Sequence, residues 1–214
     1  MRYLIVCGGK IDKEFGLNEI KTDGIDAIIA ADSGMDFLYE NGVTPDIIVG
    51  DFDSTTTNAL EYFERKGQTE IRRLNPIKDD TDTEYAIRLA ISEGARSIVL
   101  LGATGSRIDH VLGNISLLGI GLESGTDIRI IDTNNRIRMA DKPVTIEKSA
   151  QYGRFVSLIA VTDDNEVSLK GFKYPVTDYS FDRFTSLGIS NEIVDDHALI
   201  DIHRGKFIII ESKD

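Results

Sequence analysis

Two carboxylates, Asp51 and Asp53, follow directly on the apolar run Ile47-Ile48-Val49 and Gly50. In extended backbone, residues i and i+2 point to the same side, so both would project together from a strand end. Adjacent anions repel unless a cation lies between them. A hard divalent ion such as Mg²⁺ takes oxygen ligands, usually one or two carboxylates together with substrate phosphate. The pattern points to the metal edge of a phosphoryl-transfer site. The plainer alternative is an acidic turn in which Asp53 or Ser54 caps the next helix.

Two further segments bear on that choice. Asp79-Asp80-Thr81-Asp82-Thr83-Glu84 opens a helical pattern in which Thr81 and Glu84 fit a capping box and Ala86, Ile87, Leu89, Ala90 and Ile91 form an apolar stripe. The helix macrodipole favours one or two acidic residues at its start, and capping or solvation accounts for Asp80. Asp79 and Asp82 can share a cation with Asp51 or Asp53 if the loops converge. Gly102-Ala103-Thr104-Gly105-Ser106-Arg107-Ile108-Asp109-His110 lies between an apolar strand and a helical pattern. A glycine loop in that place offers backbone N–H groups to phosphate, and Arg107 can add a bidentate grip. The loop lacks the Gly-Lys-Ser/Thr ending of a Walker A motif and does not match the Rossmann glycine spacing.

The elements that must position these residues alternate. Strands are expected at residues 2–7, 27–30, 47–49, 70–74, 97–101 and 127–132, and helices at 35–41, 58–66, 81–93 and 109–123. This alternation predicts an α/β domain over residues 1–136: a mostly parallel sheet with helices on both faces, a Rossmann-like three-layer arrangement. Ligands of such sheets bind beyond the carboxyl ends of the strands, where Asp32-Ser33-Gly34 and the segments above all fall. From 137 to 214 helical periodicity fades. Residues 144–146, 155–161, 166–169, 198–203 and 207–211 read as strands of a smaller antiparallel β domain, with Arg204-Gly205-Lys206 as a hairpin turn. About 70 residues make a thin core, so this domain is expected to pack on the first or on a second copy.

Composition narrows the partners. A net charge of −12 without a basic stripe argues against nucleic-acid polymers and anionic membranes, while bound Mg²⁺ would still attract small phosphorylated ligands. One cysteine, Cys7, sits in an apolar run; no disulfide framework or zinc site can be built on it, and a cytoplasmic home fits. No signal peptide or membrane-length apolar stretch is expected.

The order of these motifs resembles the thiamine pyrophosphokinase (thiamine diphosphokinase) family. The landmarks are Ala31-Asp32-Ser33-Gly34, Pro45-Asp46 leading to Gly50-Asp51-Phe52-Asp53-Ser54, Asp79-Asp80-Thr81-Asp82, and Gly102 to His110; Gly171-Phe172-Lys173-Tyr174 and Gly188-Ile189-Ser190-Asn191-Glu192 complete them. The resemblance implies an α/β catalytic domain, a β-sandwich that helps bind thiamine, a homodimer, and Mg²⁺-dependent transfer of a diphosphoryl group from ATP to the thiamine hydroxyl. It implies Mg²⁺–ATP binding by Asp51, Asp53 and Asp82 with Asp32 nearby. Arg107 and Asp109 then belong to the loop around substrate and phosphates, with Gly102 and Gly105 in its backbone. Tyr174 stands where the family often has tryptophan, and the chain contains none. Its smaller face can still stack on a cationic ring. Ser168, Ser190 and Asn191 fall near the same pocket.

Two rivals fit parts of the pattern. Asp51-Phe52-Asp53-Ser54-Thr55 matches the opening of a haloacid dehalogenase-type phosphohydrolase, but that motif should follow the first strand. A nucleotide-binding sensor without chemistry is the other. Neither explains the C-terminal motifs.

Overall fold

A computed structural model describes residues 1–52, 58–75 and 80–214 and divides into two compact units, Met1–Thr133 and Asn134–Asp214. The architecture is mixed α/β, with a large, mostly parallel sheet and a separate antiparallel sheet.

In the first unit the strands are β1 (Arg2–Val6), β2 (Ala27–Ala31), β3 (Ile47–Gly50), β4 (Glu70–Arg73), β5 (Ser97–Leu101) and β6 (Asp127–Ile131); the helices are α1 (Lys13–Ile20), α2 (Gly34–Glu40), α3 (Ala59–Lys66), α4 (Asp82–Ser92) and α5 (Ile108–Ser124). All five strand pairings are parallel, in the order β4-β3-β2-β1-β5-β6. The chain steps outward from β1 to β4, then crosses back to β5 and continues the other way. With right-handed crossovers, that reversal puts α4 and α5 on the face opposite α1–α3. Accordingly α4 lies against β1, β2, β3 and α5, and α2 lies against β2 and α3.

Strand periodicity explains the core. Leu4, Val6, Ala30, Ile48, Val99 and Leu101 pack with Met35, Leu38 and Phe63 on one face. The intervening Ile5, Ile29, Ile98 and Leu100 are equally buried, which requires cover on the other face as well and gives the strands their continuous apolar runs. Helix α1 was not anticipated. Asp12 caps it by accepting from the Phe15 N–H at 2.9 Å, but mid-helix Gly16 and intervening charges blur its apolar stripe.

In the second unit the strands are β7 (Asn135–Ala140), β8 (Val144–Glu147), β9 (Phe155–Ala160), β10 (Glu166–Lys170), β11 (Val176–Ser180), β12 (Asn191–Glu192), β13 (His197–Arg204) and β14 (Phe207–Ser212). They pair antiparallel in the orders β12-β9-β14-β7 and β11-β10-β13-β8. Val156, Leu158, Phe207 and Ile209 of one group share a core with Val167, Leu169, Ala198 and Ile200 of the other, as in a sandwich. The expected hairpin at residues 204–206 is a correction. Gly205, at φ +85°, joins β13 to β14, but those strands pair with different partners. The turn is a corner between the two layers. Strand β7 escaped the sequence reading because Arg136 and Arg138 look solvent-bound, whereas both reach the fully buried Glu211, at 2.6 and 3.3 Å. Strand β11 escaped because four of its five residues are exposed.

Among the described residues no helix is long and apolar enough to cross a membrane.

Candidate active site

The strand order reverses between β1 and β5, the place where open α/β sheets form a ligand crevice. A cavity of about 630 Å³ lies there in the first unit, lined by the segments that follow β1, β2 and β5, by the start of α4, and by the first turns of α5.

Asp32 and Asp82 form an acidic wall of this cavity, and Asp51 adjoins them. Asp32 follows β2, Asp51 follows β3, and Asp82 is the first residue of α4, where Thr81 accepts from the Glu84 N–H at 3.2 Å. One carboxylate oxygen from each of the three lies within 4.8 Å of the others. Asp32 Oδ1 is buried and accepts no hydrogen bond from any described residue. Burial, with Asp82 and Asp51 adding repulsion against a bond from the Ser33 N–H, pushes the Asp32 carboxyl above its ordinary range. The backbone is bent to bring these groups together. Asp32 (φ +48°) and Phe52 (φ +60°) both occupy the left-handed region, at roughly 1–2 kcal/mol each for ordinary side chains. The Phe52 ring is buried in the core below the turn, with Arg73 5.5 Å from its centroid, and this anchors the turn that presents Asp51.

The donor set suits a hard cation. Three carboxylates converge, and one buried oxygen has no donor among the described residues; both features call for a positive charge with oxygen affinity. Asp53 and Asp79, two other expected ligands, lie outside the described residues.

The opposite wall is the glycine loop. Gly102 takes φ +65°, and its carbonyl accepts from the Gly9 N–H at 2.8 Å. A side chain at Gly9 would stand 2.3 Å from the Gly102 and Thr104 carbonyl oxygens, so only glycine lets the loops after β1 and β5 close on each other. Two side chains absent from the sequence reading brace the loop. Asn114 of α5 donates Nδ2–H to the Ala103 carbonyl at 2.7 Å, and the Thr104 hydroxyl donates to Asp132 Oδ2 at 2.9 Å. Nothing local in the sequence marks them, because each acts across ten or more residues. Gly105 lines the same cavity. Arg107 and Asp109 line it too, and they hold each other at 2.7 Å with both side chains largely exposed. The Arg107 guanidinium keeps the Asp109 carboxyl below the usual range.

The remaining expected residues lie in the second unit. Asn191 is buried and joins Tyr174 twice: its Oδ1 accepts from the Tyr174 N–H at 3.1 Å and its Nδ2 donates to the Tyr174 carbonyl at 2.9 Å. Tyr174 is 62% exposed, with Lys173 Nζ 5.6 Å from its ring centroid. Ser190 (φ +60°) precedes Asn191, and its N–H donates to Ser157 Oγ at 2.9 Å. Ser168 belongs to a different network: it is buried in β10, donates to Asp178 Oδ1 at 3.1 Å and lies 3.0 Å from His203 Nε2.

Comparison with known proteins agrees with this arrangement. Residues 21–130 match the family described as thiamin pyrophosphokinase, catalytic domain, and residues 143–207 match thiamin pyrophosphokinase, vitamin B1 binding domain. The chain is 35% identical over 188 residues to thiamine pyrophosphokinase of Bacillus subtilis (strain 168), covering 87% of each chain. The crystal structure of the Bacillus subtilis enzyme aligns over 100% of both chains with a TM-score of 0.88 and 31% identity. That of thiamin pyrophosphokinase from Geobacillus thermodenitrificans aligns over 100% of this chain and 98% of its own, with a TM-score of 0.86 and 29% identity. The phosphohydrolase and sensor readings find no support: Asp51 follows the third strand, and both matched families are of another kind.

Proposed function

The chain belongs to the thiamin pyrophosphokinase family, whose members transfer pyrophosphate from ATP to thiamine, and from that premise we propose how its residues divide the work. The carrying observation is the convergence of Asp32, Asp51 and Asp82 beside the glycine loop at the strand-order reversal. The cavity takes the ATP polyphosphate, a use of the switch point akin to that of Rossmann-like folds. Asp32, Asp51 and Asp82, with Asp53 of the adjoining segment, are the residues that would hold Mg²⁺. When bound, Mg²⁺ supplies charge neutralisation and orientation of the phosphates.

The chain's own groups do the rest. The glycine loop, braced by Asn114 and Asp132, offers backbone donors to phosphate oxygens. Arg107 exchanges its Asp109 partner for phosphate and offsets charge that builds on the bridging and leaving oxygens as the thiamine hydroxyl attacks the β-phosphorus and AMP departs. Asp109, held ionised by Arg107, is a weak proton acceptor; its role is to orient Arg107. In the second unit, Tyr174, fixed through its backbone by Asn191, presents its ring to thiamine, with Ser190 beside it. Residues 1–136 thus form the catalytic domain and 137–214 the thiamine-binding domain. We further place the enzyme in the cytoplasm, where a single buried thiol stays reduced, and as a homodimer, whose second copy would cover exposed apolar residues such as Ile108 and Leu112.

The deciding experiment mixes purified protein with ATP, thiamine and Mg²⁺ and resolves the products. AMP and thiamine diphosphate, both lost on adding EDTA, are expected; ADP, free phosphate or no product would overturn the reading.

A further inference from the structure

The cavity's charged side chains do not balance evenly. Asp32 and Asp82 face it from the acidic wall. Arg107 and Asp109 line it as a mutual pair, at 2.7 and 3.3 Å. Lys10 is the remaining lysine or arginine among the lining residues. It is exposed and forms no ion pair with any described residue. Its backbone is fixed in place: Gly9 is bonded to Gly102, and a Cβ on Gly105 would lie 3.8 Å from both the Gly9 Cα and the Lys10 N. The first loop therefore sets Lys10 at the rim of the glycine loop, on a chain of net charge −12, where its ammonium has no carboxylate partner among the described residues.

We propose that Lys10 is a polyphosphate-binding residue of this site, the standing cation that meets the ATP phosphates before Arg107 has left Asp109. The inference rests on the reading of this cavity as the ATP site. An ammonium on a flexible stem suits this task, because it acts as a point charge with three donors and needs no fixed plane. A contact present both before and during transfer changes binding more than turnover.

The test uses the full-length protein and α,β-methylene-ATP, whose carbon bridge prevents AMP release. In titration calorimetry with Mg²⁺ and again with EDTA, Lys10→Met should weaken analogue binding by about tenfold, the range of one charge-assisted hydrogen bond. Lys10→Arg should recover most of that loss, and neither variant should shift the melting temperature. In turnover assays the KM for ATP should rise about tenfold, while the KM for thiamine stays put and kcat changes little. Unchanged analogue binding by Lys10→Met overturns the inference. So does equal weakening in Lys10→Arg, or a lowered melting temperature, since either would mean that the position serves only the loop. A wild-type protein that binds the analogue yet releases no AMP from ATP would instead overturn the functional reading.

Discussion

The acidic wall of the first unit and three polar networks of the second are built in opposite ways. In the first, carboxylates from three loops crowd within 4.8 Å, and Asp32 keeps a buried oxygen without a donor among the described residues. In the second, three buried polar side chains, Asn191, Ser168 and Glu211, find their partners within the unit. Asn191 spends its amide on Tyr174 and on the Glu192 N–H at 2.9 Å, Ser168 links Asp178 with His203, and Glu211 is enclosed by Arg136, Arg138 and the Tyr152 N–H at 3.0 Å. Unsatisfied and strained groups cost stability and persist where a ligand completes them. Satisfied networks fix a shape. The first unit is poised to take charge from outside, and the second is built to hold an exposed aromatic ring in place.

Substitutions can break that contrast directly. The largest effect is expected in the acidic wall. Asp51→Ala should abolish turnover, and Asp32→Asn should lower kcat/KM on the order of 10²–10³-fold. Asparagine tolerates the left-handed backbone of position 32 and removes a repelling charge, so the melting temperature of the metal-free protein should hold or rise. Near-normal turnover in either variant would end the metal assignment, and a sharp loss of stability in Asp32→Asn would end the picture of a strained, ligand-awaiting wall.

The mirror-image change lies in the second unit. Asn191→Ala removes three bonds at a buried position and should cost about 2–3 kcal/mol in urea unfolding. The folded remainder should show a raised KM for thiamine and an unaltered KM for ATP. If stability were unchanged and only thiamine binding fell, Asn191 would be a ligand contact rather than the prop of Tyr174.

The smallest effect concerns Cys7 at the cavity floor. Burial pushes its thiol from 9.0 up to about 12, so the native state favours the neutral form. Its contribution to stability is complete below about pH 9 and fades as pH rises toward 12. The stability gap between wild type and Cys7→Ala should therefore narrow above pH 9 in urea titrations. Native protein should also resist thiol-specific labelling at pH 8 until it unfolds; rapid labelling of folded protein would show an open, ionised cysteine instead.

Local pattern made much of the first unit legible. Strands β1, β2, β3 and β5 are short apolar runs closed by glycine or aspartate, and helices α2 to α5 carry periodic stripes, with Thr81 starting α4 and Gly67 ending α3. Helix α1 was illegible because Gly16 interrupts its stripe. In the second unit β7 hid behind arginines whose buried partner is more than 70 residues away, and Gly205 passed for a hairpin because turn chemistry does not reveal which strands pair. The acidic chemistry of the site was legible as residue type. Asp32 was expected only nearby, and Asn114 and Asp132 were not expected at all.

By itself, then, the sequence determined the alternation of strand and helix, the acidic and glycine-rich segments that follow the strands, and the family, since each is written in residue type and short-range spacing. Only tertiary structure decided that Asp32, Asp51 and Asp82 share one space, that Asn191 bonds the Tyr174 backbone, and that Lys10 lines the cavity with no carboxylate partner among the described residues. Those outcomes depend on the order of strands in a sheet and on close backbone approach between loops. Both are settled by packing over long chain separations, which no local pattern encodes.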